Sequence, residues 1–324
     1  MLKIIAILIL IMYNYTEIVY KRFVHKINTE KYMYHVITNG TNFDDTKKAQ
    51  LDIIAKVFEK AGKEYTLHIT DHPHHATEIA RELTKGGEFA HLIAMGGDGT
   101  LHEVLNGIED TNNCTLGLIP YGTGNDFAST AKIPLDVKSS AEIIAFRAPT
   151  AIDYIELENG LRSINAVGFG IDVDVLKRTY ASKKKNYYSA FLKSLRLYKS
   201  TKFKASWDGG EEKEYNGILA CIGNGKQIGG GIKVFPDAKI NDGYMDLLVV
   251  DYLSRFRTLI AFLKLSMGKV NKVKEVTHVK CKSVKITPLE GDATIQAEGE
   301  LYDNIPLNAH IVEGKLKFYL PQND

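Results

Sequence analysis

At 324 residues the chain has room for two domains of ordinary size. With 25% charged and 44% hydrophobic residues and a net charge of +2, its composition excludes a disordered, collagenous or disulfide-stapled chain. The three cysteines, Cys114, Cys221 and Cys281, lie far apart with neither metal-binding nor redox spacing, and read as reduced thiols of a cytoplasmic protein.

The chain opens with Ile4 to Met12, nine consecutive apolar residues behind Lys3. A bilayer span needs about 20. Residues 1–32 are therefore expected to lie upstream of a true start at Met33 or to be a dispensable appendage; a membrane anchor is the alternative. Next come a helical stripe, Ile54, Val57, Phe58 and Ala61, stopped by Gly62, and a strand over Tyr65–Ile69. Two short apolar runs follow, Leu92–Met95 and Leu116–Ile119. Each leads into a glycine-rich turn, Gly96-Gly97-Asp98-Gly99-Thr100 and Gly122-Thr123-Gly124-Asn125-Asp126-Phe127. Apolar runs bounded by glycine read as buried strands of a parallel sheet. Leu101, Val104, Leu105 and Ile108 start a helix at or near Thr100. A strand, a glycine turn and a helix N-terminus present backbone N–H groups to an anion, so Gly96, Gly97, Asp98, Gly99 and Thr100 are expected to cradle phosphates.

From about Ala151 the texture changes to clustered strands: Ile152–Leu157, Ile218–Ile222, Met245–Val250, Val284–Ile286 and Lys315–Leu320, with Asn159-Gly160 as a hairpin turn. That switch predicts an α/β domain followed by a mostly antiparallel β domain. Between Val175 and Trp207 stand ten Lys or Arg and no acid, interleaved with aromatic and aliphatic residues, which reads as a helical stretch suited to an anionic membrane surface. No nucleic-acid recognition motif accompanies those charges. His72, His74 and His75, beside Pro73, read as a surface turn rather than a metal cluster.

The two glycine turns at this separation resemble the diacylglycerol-kinase family of bacterial soluble lipid kinases. Two later matches, Pro236–Asp246 and Glu298-Gly299-Glu300, extend the resemblance from about Tyr34 to Pro321. It implies an α/β N-terminal nucleotide-binding domain over 33–150, a C-terminal antiparallel β-sandwich lipid domain over 151–310, and a last segment, 311–324, returning to the first domain. The implied reaction is transfer of the γ-phosphate of ATP, with Mg²⁺, to a lipid hydroxyl, most plausibly that of diacylglycerol, by a cytoplasmic protein attached peripherally to the membrane. Homodimerisation is left open.

The resemblance assigns the general base to Glu298, where the family pattern has an aspartate, with Glu300 as a second candidate. It places Asp98 and Asp126 near the catalytic metal and assigns nucleotide contacts to Thr70, Thr123 and Asn125. Glu103, one turn into the helix after Thr100, could meet nucleotide or metal-bound water. A structural Mg²⁺ is matched by Asp242 with the carbonyls of Lys239 and Tyr244. The family's Asn-Pro-x-x-Gly phosphate loop corresponds to Thr38–Asn42, without the proline and with the glycine displaced; Asn39 and Thr41 remain its candidate donors. Two other readings stand beside this one: a catalytically silent nucleotide- and membrane-binding member, and a kinase of a soluble substrate such as NAD.

Overall fold

The computed structural model describes residues 33–40, 43–181, 187–269, 273–291 and 293–321. The extension 1–32, Thr41, and Lys183, Lys184 and Lys185 of the basic stretch lie outside the described residues.

The first half alternates strand and helix: β1 (Tyr34–Asn39), α1 (Asp45–Lys60), β2 (Tyr65–Thr70), α2 (His75–Thr84), β3 (Ala90–Gly96), α3 (Asp98–Gly107) and β4 (Cys114–Pro120). A short α4 (Asp126–Thr130) and α5 (Val137–Phe146) follow. The strands pair in parallel in the order β2-β1-β3-β4. Every residue of β3 and β4 is buried, which requires a helical layer on each face of the sheet. Leu92 and Ala94 face Ala76, Ala80, Leu101 and Leu105 of α2 and α3. Ile93 and Met95 point the other way, onto Ile54 and Phe58 of α1 and Ala141 and Ile144 of α5. Successive residues of a strand face opposite layers, so one apolar run serves both. The first turn of α1 is capped by Asp44, whose Oδ1 accepts the Lys47 N–H at 2.9 Å.

The second half holds β5 (Thr150–Leu157), β6 (Arg162–Ser163), β7 (Ala166–Gly170), α6 (Ile171–Ala181), α7 (Tyr187–Leu197), β8 (Thr201–Trp207), β9 (Lys213–Gly223), β10 (Met245–Asp251) and α8 (Arg255–Ser266). Then come β11 (Val276–Cys281), β12 (Ser283–Pro288), β13 (Ile295–Ala297), β14 (Glu300–Tyr302) and β15 (Leu307–Phe318). Their mutual pairings are antiparallel and enclose a core built around Val167, Phe203, Ile222, Leu247 and Ile286. Strand β9 pairs with β7 and β10 over its C-terminal part and with β8 over its start. It crosses between them at Gly217, where a Cβ would stand 2.8 Å from the Phe203 ring.

Strand β15 joins the domains. It pairs antiparallel with β12 and β5, and its end adds in parallel to β4 through Lys317 and Phe318. The architecture is thus an α/β domain plus an antiparallel β-sandwich, with the last segment returning to the first.

The basic stretch is not continuously helical. It runs through the end of α6 and through α7, but 201–207 is a strand between β9 and β12. Phe203 and Ala205 face the core while Lys202 and Lys204 reach Glu290 and Glu212 on the surface. The period-two alternation Lys-Phe-Lys-Ala was the available signal for that strand.

Candidate active site

The two glycine turns leave the carboxyl ends of β3 and β4, adjacent strands, and touch. A Cβ on Gly122 would lie 2.4 Å from the Gly97 Cα, so a side chain there would force the turns apart. The Tyr121 N–H donates to the Gly96 carbonyl at 2.8 Å. A Cβ on Gly96 would meet the Thr100 hydroxyl oxygen at 2.3 Å. Asp98 ties the motifs together: its Oδ2 accepts the Asp126 N–H at 3.0 Å and its Oδ1 the Phe127 N–H at 3.1 Å. Asn125 holds a left-handed backbone (φ 52°) and folds its side chain onto Gly122 N–H and carbonyl, which braces the turn. Thr123 and Gly124 face the space between the domains.

Glu298 enters that space from the opposite side, on the two-residue turn joining β13 to β14. Ala297 pairs with Glu300, and Glu298 (φ 51°) and Gly299 (φ 84°) both take the positive φ a type I′ turn requires. A glutamate held there costs about 1–2 kcal/mol. Its Oε1 accepts the Ser163 hydroxyl at 2.5 Å and the N–H groups of Asn165 and Ala166 at 2.7 and 3.3 Å. Burial pushes its carboxyl up to about 7, Asp98 adds to the rise, and the three donors oppose it. Asp126 is also raised, first by burial and then by Asp98. It is held by the Gln227 amide at 3.0 Å and the Gly230 N–H at 2.9 Å.

These carboxylates line a cavity of about 740 Å³. Its other walls are apolar: Leu176 of α6, Phe191 of α7, Phe262 and Leu263 of α8, and Ile228 and Ile232 around three glycines after β9. The Phe191 and Phe262 rings meet at 3.9 Å between centroids. A further acid, Asp172, lines the cavity. Burial raises its carboxyl to about 6, and its Oδ2 accepts the Gln296 amide at 3.2 Å.

The remaining candidates lie around this centre. Asn39 ends β1, and the Gly40 N–H donates to the Thr70 carbonyl at 2.8 Å, so the first loop packs on the end of β2. Glu103 turns its Oε2 to the Ala76 N–H at 3.3 Å, at the start of α2. Glu300 opens β14, exposed. Beyond Thr70, Asp71, His72 and His75 cluster on the surface, with His75 Nδ1 2.7 Å from Asp71.

Lys239, Asp242 and Tyr244 sit apart, on the segment stapled to β5 by the Asp153 N–H donating to the Ile240 carbonyl at 2.7 Å. Asp242 Oδ1 accepts the Tyr244 N–H at 3.2 Å, and its Oδ2 accepts the Lys280 ammonium at 2.5 Å. The Lys280 ammonium thus meets the one carboxylate of this donor set, and no step is derived through a metal here. Two contributors, Ser163 and Asp172, escaped sequence reasoning because they come from segments without a motif.

Residues 33–157 match the family described as Diacylglycerol kinase catalytic domain, and residues 165–320 match the YegS C-terminal NAD kinase beta sandwich-like domain. The diacylglycerol kinase of Staphylococcus saprophyticus is 30% identical over 296 residues, covering 89% of this chain and 95% of that one. The crystal structure of a diacylglycerol kinase from Bacillus anthracis superposes with a TM-score of 0.73 at 23% identity, covering 90% of this chain and 97% of that one. An NAD kinase from Archaeoglobus fulgidus, solved in complex with ATP, has a TM-score of 0.50 at 12% identity, covering 89% and 93%; both likenesses concern the fold. With its two glycine turns, its buried Glu298 on the β13–β14 turn and this identity to a curated relative, the chain belongs to the diacylglycerol kinase family.

Proposed function

We propose that this protein is an ATP- and Mg²⁺-dependent lipid kinase that phosphorylates the free hydroxyl of diacylglycerol to give phosphatidic acid. The observation that carries the reading is the cavity itself. Asp98, Asp126 and Glu298 line it together with an apolar wall from three helices, a combination suited to an acceptor with a hydroxyl at one end and hydrocarbon at the other. A soluble acceptor such as NAD has no use for that wall.

Carboxylate oxygens suit a hard cation: Asp98 and Asp126 both turn an Oδ2 toward the Gly124 position, Glu298 lines the same cavity, and Asp98 raises the proton affinity of the other two. Asp98 and Asp126 are the residues to hold Mg²⁺, and Gly97–Thr100 with Thr123 the residues to hold the phosphates. Bound nucleotide with its metal supplies an electrophilic phosphoryl group whose charge is partly neutralised. Glu298 takes the acceptor's proton: Oε1 is pinned by three donors, which fixes the carboxylate and leaves Oε2 for the hydroxyl. The apolar wall excludes water, which would otherwise compete as acceptor.

The reading also needs access to a bilayer. Among the described residues no helix is long and apolar enough to cross one. Instead α7 and α8, whose inner faces wall the cavity, expose Leu192, Leu197, Phe256, Leu259 and Ile260 outside its lining. Exposed Lys193, Arg196 and Lys199 flank them. An apolar face rimmed by cations suits an anionic membrane surface, each cation contributing about 1 kcal/mol.

The test is phosphate transfer from radiolabelled ATP to diacylglycerol in detergent micelles, with Mg²⁺ and with NAD as a competing acceptor. Labelled phosphatidic acid is expected. Labelled NADP, or no product above a Glu298→Gln control, defeats the reading.

A further inference from the structure

Lys47 is 4% exposed, although it carries a charge and sits at the start of a surface helix. Its ammonium donates to the Asn39 carbonyl at the end of β1 and lies 5.6 Å from the centroid of the Tyr121 ring, just past the end of β4. In the sheet, β3 runs between those two strands. Its carboxyl end opens into Gly97 and Asp98 and the N-terminus of α3. The ammonium therefore spans the end of the strand that carries the phosphate-binding turn.

Such a position is costly without an anion, because a buried charge loses its hydration. Burial holds the Lys47 pKa below the ordinary lysine value, with the Asp44 carboxylate opposing that fall. Asp44 is itself engaged as the cap of α1. Among the described residues the hydrogen-bond acceptor of the ammonium is a neutral carbonyl, and the Tyr121 ring adds a cation–π contact.

We infer that Lys47 is a ligand of the nucleotide's polyphosphate, supplying from the first turn of α1 a charge that bridges the first loop and the Gly96–Thr100 turn. The inference rests on the nucleotide half of the function proposed above and is independent of the acceptor. A bound phosphate oxygen replaces lost hydration at the ammonium and forms a charge-assisted hydrogen bond, which a neutral ligand cannot do.

The test compares the binding of ADP with Mg²⁺ and of adenosine to the wild-type protein, Lys47→Met and Lys48→Met, by calorimetry and ligand-observed NMR. Lys48, ion-paired with Asp45 at 3.0 Å on the exposed side of the same helix, is the control. Lys47→Met is expected to weaken ADP about 10- to 100-fold, the loss of one charged hydrogen bond, while adenosine binding and the Lys48→Met variant stay at wild type. An equal loss for adenosine, an unchanged ADP affinity, or a wild-type protein that does not bind ADP overturns the inference. Should Lys47→Met fail to fold, Lys47→Arg keeps the charge. A shift of its ADP-to-adenosine affinity ratio by more than about threefold supports the role, and an unchanged ratio overturns it. No lipid is present, so Lys47-dependent ADP binding beside absent lipid phosphorylation would refute only the acceptor.

Discussion

As the base of the proposed reaction, Glu298 carries two opposed requirements. Its carboxylate must be ionised to take a proton, yet it is buried beside Asp98, and its pKa rises from an ordinary 4.5 to about 7. The folded state holds the proton more tightly than the unfolded chain does, so stability is lost as pH rises from about 4.5 through about 7. Catalysis runs the other way, because the ionised form is the base. Activity in the free enzyme is thus expected to climb along a limb centred near 7. Glu298→Gln is expected to lower phosphate transfer by about 10²–10⁴-fold and to erase that limb in a pH–rate profile. The same variant should melt above wild type at pH 8, with the difference closing toward pH 5, as followed by calorimetry. The Glu298-Gly299-Glu300 motif made this residue legible. Its tuning was not, since Ser163, Asn165 and Ala166 lie more than 130 positions away in sequence.

Elements are placed at this site by backbone contact as much as by side chains. The turns after β3 and β4 touch because neither Gly97 nor Gly122 has a Cβ. Asp98 then holds the start of α4 through two N–H groups. Gly122→Ala is accordingly expected to push the turns apart, weaken nucleotide binding by at least about tenfold and lower the melting temperature, while leaving the helical circular dichroism signal in place. Both turns could be located in sequence, because a buried strand followed by glycines is a local pattern. That they meet could not, since their contact depends on β3 and β4 being neighbours in the sheet. The converse case is β8: its alternation was local and visible, but the charges of the surrounding stretch suggested a helix, and pairing with β9 and β12 made a strand.

Across the whole molecule, β15 ties together the two domains that form the cavity, pairing with β12 and β5 and then with β4. The β13–β14 turn of the sandwich lines that cavity opposite the glycine turns of the α/β domain. Helices α7 and α8 close the remaining side and present their outer faces to solvent. Phe256, 72% exposed on α8, lies outside the cavity lining. Phe256→Glu combined with Leu192→Glu is expected to reduce binding to anionic vesicles at least tenfold in sedimentation, the loss of two apolar anchors at roughly 1.5–3 kcal/mol each. Activity toward short-chain diacylglycerol dispersed in detergent should remain near wild type.

Legible in the linear pattern alone were the class of the fold, the order of its parts and the two glycine turns. These follow from local periodicity and from glycine at positions where backbone must approach backbone or ligand. Tertiary structure decided the rest: the raised proton affinity of Glu298, the apolar wall that faces it, the burial of Lys47 beneath Tyr121, and the Lys280 ammonium beside Asp242. Each depends on which distant segments become neighbours. Desolvation and Coulomb interactions act through space, and a linear pattern does not record which charges will share a cavity or lose their water.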